Sequence, residues 1–434
     1  MSRRACVRAL IGACAVLSAL GVPAAASATT LWVSPAAPSA PFNSCAHPGY
    51  DSIQAAVGGP GTAIHVCAGT YEEQLQIERN VQITGFEGVT LKLPAVTANA
   101  TTACDKANET LTKLPDQDAI SICGGKVTIK NVNVDAIWPG EPIESGISCA
   151  FNLTGILVAG GANLNLSGST ITGAAPQKIN GCQYGLGILI GIPESGVIGH
   201  GSATLTNDTV TGYQKNGITA AGGDVEAHIS KVTVTGAGPQ PELAQNGIGI
   251  QEGATATITK ATVSGNECDH SSCGPDALDE YQSDGVYFYG AASNARITDS
   301  TVDENDVGVE AFDSTGAIPF IDADKLVSDR YESVLISEGA ATVNSDTMTD
   351  ANVGIELLQF GSQSVAPSGT GTTDKIEHMA KWAVFGRSDN SPEDKFGAFT
   401  ITKSKISGSP GPRPLESVES ENPTKLKIFA EGDR

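Results

Sequence analysis

Leu205-Thr-Asn-Asp-Thr-Val210-Thr-Gly212 sets two apolar residues five apart, with a glycine two positions later. The same frame returns at Leu166/Ile171/Gly173, Ile229/Val234/Gly236, Ile258/Val263/Gly265 and Ile401/Ile406/Gly408. Without the glycine it recurs at Ile129/Val134, Ile297/Val302, Ile321/Leu326 and Val343/Met348. The step is 24 residues from Leu205 to Ile229, 24 from Ile297 to Ile321 and 22 from Ile321 to Val343. A second signature follows about half a turn later: Gly155-Ile156, Gly187-Ile188, Gly217-Ile218, Gly247-Ile248, Gly285-Val286, Gly308-Val309 and Gly354-Ile355. Between the two, small polar and β-branched residues alternate, as in Ala256-Thr-Ile-Thr259. That is the period of a strand.

A unit of two dozen residues cannot bury its own apolar side chains, so the units must stack and share one interior column. Parallel stacking makes every turn a crossover, and crossovers between parallel strands favour the right hand. The expected fold is therefore all-β: a right-handed parallel β-helix, a solenoid of about ten to twelve coils. Glycine at turn corners supplies backbone conformations closed to residues with a Cβ. Helical periodicity between the strands is nearly absent, which excludes a doubly wound α/β fold.

Arg3, Arg4 and Arg8, an apolar run from Ala9 to Leu20 and the small-residue triplet Ala26-Ser27-Ala28 read as a signal peptide over 1–28. The expected mature β-helix covers 29–408, followed by a linker and capping segment over 409–434. No later stretch is apolar enough to span a bilayer. Without the three leader arginines, 23 basic side chains face 48 acidic ones, a net charge of −25. Such a surface repels phosphate backbones, which excludes nucleic acid as a partner, and it disfavours polyanionic glycans lacking a bridging cation. Eight cysteines remain after the leader: Cys45, Cys67, Cys104, Cys123, Cys149, Cys182, Cys268 and Cys273. An even set in an exported chain reads as disulfides, with neighbours along the chain as expected pairs. A secreted, extracellular monomer is the expectation.

Ser52-Ile-Gln-Ala-Ala-Val57, Ile64-His-Val66, Gly69-Thr-Tyr-Glu-Glu73 and Val81-Gln-Ile-Thr-Gly85 resemble the first coils of right-handed β-helix proteins of the pectate-lyase-like superfamily. The runs Gly212-Tyr-Gln-Lys-Asn-Gly-Ile218 and Ala244-Gln-Asn-Gly-Ile248 are similar to its repeat-containing members. The resemblance covers nearly the whole mature chain. It implies that the Ser-Ile-Gln segment is a helix capping the open N-terminal end of the column. It says little about activity, because the superfamily includes lyases, hydrolases, esterases, epimerases and non-catalytic proteins.

Four insertions interrupt one corner of the repeat: Ile137 to Thr154, Ala174 to Gly187, Ala237 to Asn246 and Asn266 to Asp284. Stacking puts them on one side of the solenoid, where function is commonly carried. The last holds Asp276, Asp279, Glu280 and Asp284, oxygen ligands suited to Ca2+ or a carboxylate pair for glycosidic chemistry. Arg296 is the nearest arginine that could serve as a base, and Tyr281, Tyr287 and Tyr289 could stack on sugar rings. A solvated acidic loop is the plain alternative. Gly69-x-Tyr71-x-Glu73 matches one pectin-methylesterase signature and Gly199-His200-Gly201 one polygalacturonase signature, but the acids that should accompany either are missing. The sequence thus points to a β-helix protein that meets polysaccharide or cell-envelope glycan through its loops, catalysis not being evident. A polysaccharide lyase or glycosidase and a structural or adhesive solenoid are the alternatives. Ca2+ is the cofactor to consider.

Overall fold

Each coil lays down three short strands in turn, as in Gly201–Thr206, Thr209–Thr211 and Asn216–Ala221. The computed structural model describes residues 30–95, 102–139, 151–269, 283–313, 319–359, 366–388, 397–408, 418–420 and 426–431. Equivalent strands of successive coils pair in parallel and build three sheets of 14, 12 and 12 strands. In chain order these are the first sheet, starting at Thr30–Val33, the second, starting at Gly69–Glu72, and the third, starting at Leu75–Ile77.

The recurring frame is a register position. Leu205 pairs with Leu166 on one side and Ile229 on the other, and Ile229 with Ile258. Val210 likewise pairs with Ile171 and Val234. These side chains are fully buried or nearly so and belong to one continuous core. Burying each contributes roughly 1.5–3 kcal/mol. Their outward neighbours, one residue away, meet solvent.

The N-terminal end is closed by helix α1, Ile53–Val57, whose Ile53, Ala56 and Val57 sit in the core. Glu73 fixes it in place. Its carboxylate accepts from Ser52 Oγ at 2.7 Å, from the Ile53 N–H at 2.7 Å and from the Gln54 N–H at 2.9 Å. A carboxylate there also suits the positive end of the helix. The buried Tyr71 donates to the Cys67 carbonyl at 2.8 Å. The Gly69-x-Tyr71-x-Glu73 motif is thus a brace for the cap. Disulfides Cys45–Cys67 and Cys104–Cys123 are formed, the second fastening helix α2, Ala103–Thr112, to the third-sheet strand Asp116–Cys123. Cys182 and Cys268 are also disulfide-bonded, while Cys149 and Cys273 lie outside the described residues, as does the expected leader over 1–28. In the tail, Val418–Ser420 joins the third sheet, and Leu426–Glu431 pairs in parallel with Gly397–Thr402 of the first. No described helix is long and apolar enough to cross a membrane.

Two corner devices hold the coils in register. Between first- and second-sheet strands the chain turns on one residue with positive φ, including Asn207, Lys231, Lys260, Asp299 and Ala323. Just inside it runs a ladder of buried side chains. The N–H of Ser300 donates to Asp324 Oδ1 at 2.6 Å, Asp324 to Asp346 at 2.7 Å, and Asp346 to Asp374 at 3.1 Å. The second device is the column Gly155, Gly187, Gly217, Gly247, Gly285 and Gly308 at the entry to the third sheet. A Cβ on Gly155 would stand 2.3 Å from the Gly187 carbonyl oxygen, and one on Gly247 would stand 2.4 Å from that of Gly285.

Two outcomes follow from these corners. Gly247→Ala must push a carbonyl away, so its thermal unfolding should show a loss of about 1–3 kcal/mol. Burial raises Asp324 to about 7, Asp346 to about 9 and Asp374 to about 7. An aspartate held above its unfolded value of about 4 contributes fully below that pH and loses its contribution as pH rises through the folded value. The Tm should therefore fall by several degrees between pH 5 and pH 9. Asp346→Asn should be less stable at pH 5, where it loses an acceptor for the Asn344 N–H, yet show a flatter decline.

Candidate functional site

The third sheet has an inward row, Ile218, Ile248, Val286, Val309, Val334, Ile355 and Val384, in unbroken register. Strand alternation then forces the next residue of each coil outward. That outward row runs Thr219, Gly249, Tyr287, Glu310, Leu335, Glu356 and Phe385. A parallel row two residues further on holds Gln251, Tyr289, Phe312, Ser337, Leu358 and Arg387. The row before the glycine column holds Asn216, Asn246, Asp284 and Val307, and it continues to Glu332 before Ser333.

Asp284 lies at the centre of this face. It is buried, its Oδ1 has no protein partner, and the Asn246 side chain accepts its N–H at 3.0 Å. Burial first, then the charge of Glu310, holds its carboxyl well above the usual range, against the pull of Lys215. The Lys215 ammonium is lowered by the same burial and donates to the Ala244 carbonyl at 2.6 Å. Tyr287 accepts from Asn216 Nδ2 at 3.1 Å and from Gln251 Nε2. Burial pushes its phenol up. Glu310 is half-buried, raised by burial, and accepts from Ser337 Oγ at 2.8 Å. Deeper along the face, burial and then Glu356 hold Glu332 well above its usual value. Arg387 Nε stands 3.6 Å from Glu356 Oε1. On the outer row Tyr289, 37% exposed, stacks on Phe312 with ring centres 5.2 Å apart.

The face therefore offers a polar floor with carboxyls biased toward the protonated, donating form, and an aromatic platform beside it. It can hydrogen-bond hydroxyls and cover an apolar sugar face. Among the sequence candidates, the structure brings Asp284, Tyr287 and Tyr289 together here. Asp276, Asp279, Glu280 and Tyr281 lie outside the described residues. Arg296 does not join them: it is exposed on the first sheet, between Thr257 and Phe320. Arg296 and Asp284 belong to different sheets, because only one short strand of each coil lies in each sheet. Lys215, Glu310, Glu332, Glu356 and Arg387 were not singled out from sequence. A signal existed for two of them: Glu310 and Glu356 directly follow Gly308-Val309 and Gly354-Ile355, so alternation sends them out beside Tyr287. All four long insertions connect a second-sheet strand to a third-sheet strand. Among the described residues, Asp284 is not part of a close group of three metal-type ligands.

Residues 154–366 match the family model described as the right handed beta helix region. The fold is a right-handed parallel β-helix. No curated protein sequence matches it. Among solved structures, the β-helix resembles the periplasmic alginate epimerase AlgG at 11% identity and a TM-score of 0.50, over 86% of this chain and 77% of that one. A GH87 alpha-1,3-glucanase catalytic domain in complex with nigerose matches at 11% identity and 0.54, over 88% and 67%. The GH136 lacto-N-biosidase from Eubacterium ramulus matches at 10% identity and 0.53, over 93% and 67%. Identities this low establish the shared fold.

Proposed function

We propose that this β-helix protein works outside the cytoplasm and binds a glycan chain along the outward face of its third sheet. The observation that carries the reading is the Tyr289–Phe312 platform beside the Asp284–Tyr287–Glu310 floor. Aromatic side chains presented next to converging polar groups are the usual composition of a sugar-binding surface. The acidic balance of the chain favours a neutral glycan over a uronate polymer. Two disulfides fit an oxidising compartment, and the leader reading makes the protein secreted. The solved neighbours include enzymes named for glycans, which supports the reading without assigning a substrate.

A second reading, glycosidic cleavage, rests on one specific feature. Asp284 and Glu310 sit on adjacent coils, and the charge of Glu310 helps hold the Asp284 carboxyl up. Two neighbouring carboxyls, one held further toward its protonated form by burial and by the other's charge, are what acid-assisted glycoside hydrolysis needs. The test is a titration of the purified protein with neutral and uronate oligosaccharides, followed for release of reducing ends. Binding of neutral oligosaccharides should weaken about tenfold in Tyr289→Ala, a loss of roughly 1.4 kcal/mol. Equal binding by wild type and variant would remove the platform from the site. Reducing ends that vanish in Asp284→Asn would make it a hydrolase; none from wild type would leave binding alone.

A further inference from the structure

A second cluster of acids lies toward the N-terminal end of the third sheet, beneath α2, where Asp118 and Thr154 continue the row of Asn216 and Asn246 several coils from Asp284. Asp105 comes from α2, and Asp116 and Asp118 from the strand Asp116–Cys123. All three are buried, and one oxygen from each lies within 4.8 Å of the others. Two oxygens bound to one Ca2+ at 2.3–2.6 Å can be at most ~4.6–5.2 Å apart, so a single ion can bridge all three. With Gln74, Leu75, Gln76 and Ser121 they line a cavity of about 10 Å³, room for one water-sized or ion-sized body.

The neighbouring strand adds an independent observation. Asn152 and Thr154 are each 1% exposed and stand opposite Asp116 and Asp118 in register. Asn152 Oδ1 has no hydrogen-bond partner, and Thr154 Oγ1 and the Asp118 carboxyl lie beside each other and Asp116 without a hydrogen bond of good geometry. Asn152 Nδ2 and Asn108 Nδ2 instead donate to Asp116, at 2.9 and 3.1 Å. Orphaned oxygens this deep cost free energy unless something absent from the protein satisfies them. The leading charges acting on Asp116 and Asp118 are acidic: Asp105 on both, and Asp116 on Asp118.

We propose that Asp105, Asp116 and Asp118, assisted by Thr154 and Asn152, bind one Ca2+ that clamps α2 onto the third sheet. Every donor is a hard oxygen, with no nitrogen or thiolate, which suits calcium and disfavours zinc or copper. The Cys104–Cys123 bridge holds the same helix to the same strand, so the ion would be a second fastening at one joint. The competing account is that the acids share protons.

Calcium binding to the full chain, freed of metal with a chelator, separates the two. One equivalent should bind, with Mg2+ weaker. At a hundred times the dissociation constant, amide exchange in Ala103–Thr112 should slow about 100-fold. Asp118→Asn should lose both effects, and Thr154→Val, which is uncharged and nearly isosteric, should weaken binding if the first variant fails to fold. No calcium uptake by wild type would overturn the proposal in favour of shared protons. Uptake that persists unchanged in both variants would place the ion elsewhere and overturn it equally.

Discussion

Everything in this molecule depends on one repeated contact: a branched apolar side chain resting on its counterpart one coil earlier, with the backbone ladder holding the two in register. Leu205 on Leu166, Ile229 on Leu205 and Ile258 on Ile229 form one such row. Because the side-chain period of a strand is two, a slip of one residue would turn each row to solvent. The corners remove that freedom. The aspartate ladder links the backbone of one coil to the side chain of the next, and the glycine column lets coils approach where a Cβ would not fit. Register and inward packing therefore support one another.

That rigidity makes the outward face usable as a site. Tyr287, Glu310 and Glu356 are separated by 23 and 46 residues of chain, yet they lie in one straight row because each occupies the same place in its coil. Burial raises Glu310, and Asn216, Gln251 and Ser337 fix the orientation of Tyr287 and Glu310. A flat, evenly ruled face of this kind matches an extended ligand better than a compact one.

The fold was legible because it is written many times over: nine frames and seven Gly-Ile or Gly-Val pairs all point to one stacking. The site was legible only in part. Asp284, Tyr287 and Tyr289 stood out through their unusual loop, and they do share a face. Arg296 was linked to them by closeness in sequence, which in a three-sided coil is a poor guide, since a few residues suffice to change side. Asp105, Asp116 and Asp118 carried no motif. Two of them come from a single strand, and the third arrives on a helix folded back over it, a meeting set by tertiary packing alone. The aspartate ladder hid for a different reason: Asp208 in Asn207-Asp208-Thr209 reads as an ordinary polar turn, although its carboxylate accepts the Ser169 N–H inside the coil at 2.9 Å.

The single-residue corner beside that ladder has a wider consequence. Its positive φ is met by Asn131, Asn207, Lys231, Lys260, Asp299, Ala323, Ser345, Thr373 and Lys403, all exposed. The backbone there tolerates a left-handed residue without glycine, a strain of order 1 kcal/mol each that the neighbouring pairing offsets. Side-chain identity at these points is uncoupled from the architecture. Lineages can therefore rewrite the charge along one edge of the solenoid, coil by coil, and change what the molecule repels or tolerates nearby while its interior stays the same.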